Sequence, residues 1–301
     1  MNQIARRLAT LPATLVGITL VTFALVHVLP GDAARLQTAD VRGASLAAET
    51  ALRRQYGLDR PLLTQYGDWL SRSARLDFGV SLVDGRPVRD KLAVALPTTL
   101  ALALVAAALA FGVAVPLGVA LGLGDRRAWA RVLTALLYVA YATPAAALAL
   151  WALRAGAPYG GHSLAALVPA AACLALAEVA RLARYQRTAV LAALDADYVT
   201  TARAKGGGAL TIARHALANA LVPMVTLLGA ELPALVSAAV VVEQIFGLHG
   251  IGHLAFDAVL TRDAPLLLAI TTLGALLTLA CVLAADIAYG LVDPRLRGRA
   301  A

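Results

Sequence analysis

The chain has 301 residues, of which 60% are apolar and only 15% charged, with a mean hydropathy of +0.76. A soluble domain carries about 25% charged residues, so these numbers exclude that class and point to a membrane protein. The two cysteines, Cys173 and Cys281, fall inside apolar runs and are too few for a disulfide framework. The net charge of +8 would suit a nucleic-acid binder only if it were not sorted by membrane side.

Arg6 and Arg7 precede an uncharged run from Leu8 to Val26 that stops at Leu29-Pro30-Gly31. About 20 apolar residues at ~1.5 Å each cross a hydrocarbon core, so the run is predicted to be a retained first span. A cleaved signal peptide shares its charged start, but the run is longer than a signal's apolar core and no small-x-small site closes it. Residues 31–95 are mixed, with ten Lys/Arg and eight Asp/Glu. They predict an extramembrane segment with amphipathic helices over about 45–56 and from Pro61 onward, the second carrying Leu62, Leu63, Tyr66, Trp69 and Leu70 at helical spacing. Asp77 to Ser81 and Asp84 to Pro87 read as turns.

Leu92 to Gly124 is uncharged and predicts one long helix entered near Pro97. A short basic loop through Arg131 leads to a third span, Val132 to Leu153, with Thr143-Pro144 as a kink whose freed carbonyl needs a partner. A glycine-rich loop over 154–162 precedes a fourth span from Ser163 to Ala177, extended by 178–183. Leu221 to Val242 is the fifth, with Glu231 and Pro233 inside; 243–265 reads as a loop, and Leu266 to Ala285 as the sixth.

Six spans place both termini on one face. That face holds 14 Lys/Arg against 6 acids, and the other 12 against 12, so the whole surplus of eight lies on one side. The positive-inside rule makes that side cytoplasmic. No surplus is left for nucleic acid.

No G-x-x-x-x-G-K-[ST] loop occurs, and the only lysines are Lys91 and Lys205. Any ATP would have to be bound by another chain, and no nucleophile–base pair marks an enzyme active site. Glu231 is the one carboxylate well inside a span. An interhelical hydrogen bond and a pore-lining contact for a cationic group are both open for it. His249 and His253 stand four apart, a spacing that on a helix could share a metal, but Gly250 and Gly252 argue against a regular helix there.

The most specific stretch runs from Asp197 to Gly229. Asp195 or Asp197 can cap a short helix through Ala204. Gly206, Gly207 and Gly208 permit a left-handed turn, and a second helix can start near Ala209 and lead into the fifth span. The small residues Thr201 and Ala202 let another surface approach, while Arg203 and Lys205, followed by Arg214 and His215, can pair with carboxylates on a partner. An interfacial linker whose cations meet anionic lipid has the same composition.

Read as Thr200-Thr201-Ala202-x-x-x-Gly206, this stretch resembles the E-A-A-x-x-x-G cytoplasmic loop of ATP-binding-cassette (ABC) importer permeases, in its dipeptide/oligopeptide/nickel-branch form. Arg214-His215-Ala216-Leu217 and Asn219-Ala220-Leu221 with Pro223 resemble the branch's continuation. So do Arg6-Arg7-Leu8, Leu29-Pro30-Gly31-Asp32, Tyr56-Gly57-Leu58-Asp59, Leu96-Pro97 with Thr99-Leu100, Glu243 with Phe246, Gly250-Ile251-Gly252, Arg262-Asp263 with Pro265, and Asp293-Pro294-Arg295.

The resemblance implies an all-α, type I importer membrane domain with six spans. The first helix would occupy 1–30, a periplasmic segment 31–95, the core 96–290 and a cytoplasmic tail 291–301. It further implies a coupling helix within about 195–220 and a bacterial inner-membrane location. The implied partners are a second permease, two ATPase subunits that bind ATP and magnesium in this chain's stead, and an extracytoplasmic solute-binding protein. The substrate class implied is di- or oligopeptides or a related solute such as nickel. A stand-alone channel or proton-linked carrier using Glu231 is the rival reading. Thr200 stands where the wider motif has an acid, so any role of that carboxylate is absent here.

Overall fold

The computed structural model describes residues 3–28, 59–161, 164–206 and 217–292, with Thr50, Arg54, Gly208 and Arg214 singly. Among these the protein is helical apart from one isolated antiparallel bridge, Val80 to Pro87. In chain order the helices are α1 (Gln3–Val28), α2 (Leu62–Ser73), α3 (Val88–Leu123), α4 (Ala128–Ala142), α5 (Ala145–Arg154), α6 (Leu164–Leu194), α7 (Asp197–Ala204), α8 (Val222–Phe246), α9 (Ile251–Leu260) and α10 (Ala264–Val292).

Five stretches are long and apolar enough to cross a membrane: Ala9–Val28, Val88–Leu123, Leu164–Leu194, Leu227–Phe246 and Ala264–Ala285. The bent pair α4 and α5 meets the same test when taken as one span, which brings the candidates to six. The expected kink at Thr143-Pro144 is a 90° break. Pro144 has no N–H to give and holds Thr143 in an extended conformation (φ −83°, ψ 119°), so the helix ends there. The carbonyls this exposes are met locally. Thr143 Oγ1 donates to Val139 O at 2.9 Å, and Thr143 N to Ala140 O at 3.2 Å.

The helices otherwise run further than the apolar runs. α3 begins at Val88, with Pro97 and Pro116 inside it, and α6 continues past Glu178 to Leu194. The 243–265 stretch, expected as a loop, holds the end of α8 and all of α9. The helix expected over 45–56 lies outside the described residues except at Thr50 and Arg54, and the one expected from Ala209 lies outside them as far as Leu217, except at Arg214.

Packing divides the chain into two compact units. One holds the described residues up to Thr98 together with His249–Leu279. There Val88 and Leu92 pack with Ala258, Leu266 and Ala269, and Phe23 packs with Trp69 and Leu268. α1 is otherwise bare, with 11% of its span buried. The other unit holds Thr99–Leu248 and the chain from Ala280 on. Its centre is α6, against which α4, α5 and α8 pack.

Close approach in this second unit depends on small residues, as it does between membrane helices generally. A Cβ on Gly118 of α3 would lie 2.5 Å from Ala183 O and Gln186 Cβ of α6, and one on Gly122 2.7 Å from Val190 Cγ1. Gly229 of α8 abuts Ala285 in the same way.

Candidate functional site

α7 leaves α6 after a two-residue break, and Asp197 in its first turn suits the positive end of its dipole. The helix sits by one face. Val199 is fully buried and Ala202 half-buried, while Tyr198, Thr200, Thr201, Ala204 and Lys205 are exposed. Thr201 Oγ1 donates to Asp197 O at 2.9 Å and Lys205 N to Thr201 O at 3.1 Å, so the helix closes with an ordinary last turn. Arg203 lies within it.

Gly206 then turns the chain at φ +76°, the left-handed region that side chains resist. Nothing lies within 4 Å of where its Cβ would be, so conformation rather than space demands glycine there. Arg214 is exposed, and His215 lies outside the described residues. The chain returns as a helical stretch over 217–220, whose Ala220 packs on Val190 and Ala193 near the end of α6. The expected handle is therefore a short exposed helix with both flanks fixed to α6.

Beside it, α6 carries a row of arginines one turn apart, a pattern that sequence reading passed over. Glu178, Arg181, Arg184 and Arg187 recur every third residue. Each arginine meets a different partner. Arg181 binds Glu178 at 2.8 Å and also the carboxylate of Glu231 on α8. Arg184 lies over the rings of Tyr138 (4.5 Å) and Tyr141 (5.1 Å) of α4, a cation–π pair. Arg187 donates to Asp125 Oδ1 at 2.5 Å in the loop before α4.

Glu231 is 4% exposed and its charge is met from within the chain. Its second oxygen, Oε2, has no hydrogen-bond partner among the described residues. This arrangement contains an interhelical contact, with the guanidinium of Arg181 as its donor.

Two of the motif residues quoted above, Thr99 and Glu243, prove to share a buried polar contact. Thr99 Oγ1 donates to Glu243 at 2.6 Å, with Glu243 fully buried. Gly247 ends α8 at φ +64° against the ring of Tyr159, and Gly160 N donates to Phe246 O at 2.8 Å, so the loop over 155–161 is seated on that helix end.

In the first unit Asp263 is 1% exposed and opens α10. It accepts from Ser81 Oγ, from Leu82 N at 3.2 Å and from Leu266 N at 3.4 Å. Lys91 Nζ donates to Ser81 Oγ and reaches Asp84 Oδ2, both at 2.9 Å. Burial alone would raise the Asp84 carboxyl. Its hydrogen bonds from Lys91, Arg86 N and Ser81, with the Lys91 charge, outweigh that and hold it below the ordinary carboxylate value.

His249 precedes α9 and His253 lies within it, their rings 5.5 Å apart and edge to face. His253 Nε2 is 3.6 Å from Asp257. Among the described residues no group of three or more His, Cys, Asp or Glu is placed to hold a metal.

Five helices long and apolar enough to span, a proline-broken pair that makes a sixth candidate and an exposed helix–glycine turn define a polytopic membrane protein. The chain belongs to the family of binding-protein-dependent transport system inner membrane components. Residues 114–298 match that family, and residues 1–103 match its N-terminal membrane component.

It is 34% identical over 315 residues to the oligopeptide transport system permease protein AppB of Bacillus subtilis (strain 168), covering 97% of this chain and 98% of that one. It is 34% identical over 316 residues to a putative peptide transport system permease protein of Brucella abortus (strain 2308), covering 98% of each. It is 31% identical over 307 residues to the glutathione transport system permease protein GsiC of Escherichia coli (strain K12), covering 99% of each. This membership tells against the stand-alone channel or proton-linked carrier.

Proposed function

We propose that this chain is the peptide-moving permease subunit of an ATP-driven importer and couples to its ATPase through α7 and the Gly206 turn. The names of its relatives support peptides, glutathione among them, as the substrate class. A second permease, a pair of ATPase subunits holding ATP and magnesium, and a solute-binding protein complete the assembly. The charge asymmetry supports cytoplasmic termini and a cytoplasmic α7. Thr201, Ala202, Arg203, Lys205 and Gly206 form the coupling element, with Arg214 and His215 on its return. Movement of α7 would pull on α6, the helix against which its unit packs, and so reorient the spans for alternating access.

The observation that carries this reading is the conjunction of an exposed short helix with a left-handed glycine at its end, lying between two spans. Gly206→Val tests it. Valine at φ +76° is strained by roughly 1–3 kcal/mol, enough to redirect the turn. Complexes reconstituted in liposomes should show lower peptide uptake and lower substrate-stimulated ATPase activity, with membrane insertion unchanged. Full transport by that variant would refute the coupling role.

A further inference from the structure

The first unit contains a cavity of about 450 Å³ at the far end of the first span. Phe23 and His27, from the last turns of α1, form one wall, and Arg60, Asp68, Trp69 and Arg72, in or next to α2, form another. Arg54 and Pro265 also line it. Among the described residues, three guanidinium groups face one carboxylate there, a surplus of two positive charges. Only Arg60 is committed to that carboxylate, at 3.3 Å, and both of those side chains are more than half exposed. Arg72 spends one N–H on the backbone oxygen of Asp68 at 3.4 Å. Neither Arg54 nor Arg72 has an ion pair among the described residues. Trp69 is 5% exposed, and its indole N–H has no acceptor among them.

Such a cavity suits an anion with several acceptor oxygens. Its surroundings decide which anion. The span Ala9–Val28 ends here, so the cavity lies at the depth where hydrocarbon gives way to headgroups. α1 presents Val21, Leu25 and Val28 at 59%, 62% and 79% exposure on its way to the cavity. α2 has the make-up of a helix lying in the interface, with Leu62 and Leu63 bare beside the arginines. Rings run in series from His27 to Phe23 (4.0 Å), Tyr66 (5.3 Å) and Trp69 (6.2 Å), as aromatic residues do at a bilayer boundary. A soluble carboxylate or free phosphate would use the cations and leave the apolar surface without a role. A phospholipid uses both.

We infer that this cavity is the headgroup site of an anionic phospholipid. Arg60 and Arg72 hold the phosphate, Arg54 closes over it, and the acyl chains lie along the exposed side of α1. The lipid thereby adds to the tie between α1 and α2, where Phe23 packs with Trp69 and the Tyr66 hydroxyl lies 2.9 Å from Thr19 Oγ1 and donates to Val16 O at 3.1 Å.

The test uses the full chain purified in a non-ionic detergent and titrated with phosphatidylglycerol or phosphatidylcholine, with bound lipid counted by native mass spectrometry. Phosphatidylglycerol should be held more tightly than phosphatidylcholine. Arg60→Gln and Arg72→Gln should each weaken it by about fivefold, the effect of one basic residue at an anionic surface. Arg54→Gln, an exposed change that leaves folding intact, should weaken it as well. As a second readout, a Trp129→Phe/Trp151→Phe variant keeps only Trp69. Brominated phosphatidylglycerol should quench its emission more than brominated phosphatidylcholine, and the arginine variants should abolish the difference. Equal retention of the two lipids, or undiminished phosphatidylglycerol binding by all the arginine variants, would overturn the assignment. So would displacement of the lipid by inorganic phosphate or a dipeptide at millimolar concentration, which would make the occupant a soluble anion.

Discussion

Asp263 offers the sharpest test of how the first unit is held. Its carboxylate is 1% exposed and takes three donors: Ser81 Oγ, Leu82 N and Leu266 N. Asp263→Ala strands two backbone N–H groups and a hydroxyl, and leaves Lys91 directed at a serine that has lost its acceptor. A lost charged hydrogen bond is worth about 1.5–3 kcal/mol, and such losses are not additive, so a total near 3–5 kcal/mol is expected. Asp263→Asn is milder. One oxygen can still accept from both backbone groups, and only the Ser81 contact inverts, for about 1–2 kcal/mol. The measurement is denaturant unfolding in mixed micelles, with Asp90→Ala, an exposed carboxylate nearby, as the control. The reasoning fails if Asp263→Ala matches that control, or if the asparagine variant is no milder than the alanine.

Further outcomes follow from other contacts. Gly118→Ala should lower stability by about 1–3 kcal/mol, because the new methyl would press on the Ala183 backbone, whereas Gly112→Ala, with nothing within 4 Å, should be tolerated; thermal melting in detergent separates the two. Arg181→Gln should cost about 3–5 kcal/mol by leaving two carboxylates unneutralised within the spans, and adding Glu231→Gln should recover part of that loss in the same assay. Asp84, whose carboxyl is held below its ordinary value, contributes stability that is present above the unfolded-state value near 3.8 and lost as pH falls through the lower folded one. The stability gap between wild type and Asp84→Asn should therefore persist at pH 5 and close in stronger acid. With Asp84 38% exposed, the gap should stay below about 1 kcal/mol.

Much of this architecture was legible because a bilayer forces it: an uncharged run must be a helix, and its length fixes a crossing. The limits were less legible, for a physical reason. Glu178 and the arginines after it read as the end of the fourth span, yet the α6 backbone runs on to Leu194, since each of those arginines meets a partner on another element. Pro144 marked a break, but a proline in the sequence carries no bend angle, and the 90° between α4 and α5 is seen only in the structure. Gly206 was readable as a left-handed turn because glycine is the residue that turn requires. The union of Ser81 with Asp263 was not, because 182 residues separate them and neither is unusual where it stands.

The arginine row on α6 also fixes how that helix can be threaded. Its three locks are unlike: a carboxylate on α8, a pair of phenol rings on α4 and a loop aspartate. Slide the helix by one turn and Arg184 could still satisfy Glu231, but Val190 would then face Asp125 and leave it without a counter-charge. Three identical acids would have accepted several settings with nearly equal energy. Unlike partners make the register a combination with a single solution, so the α7 handle begins from a defined position each time the protein folds.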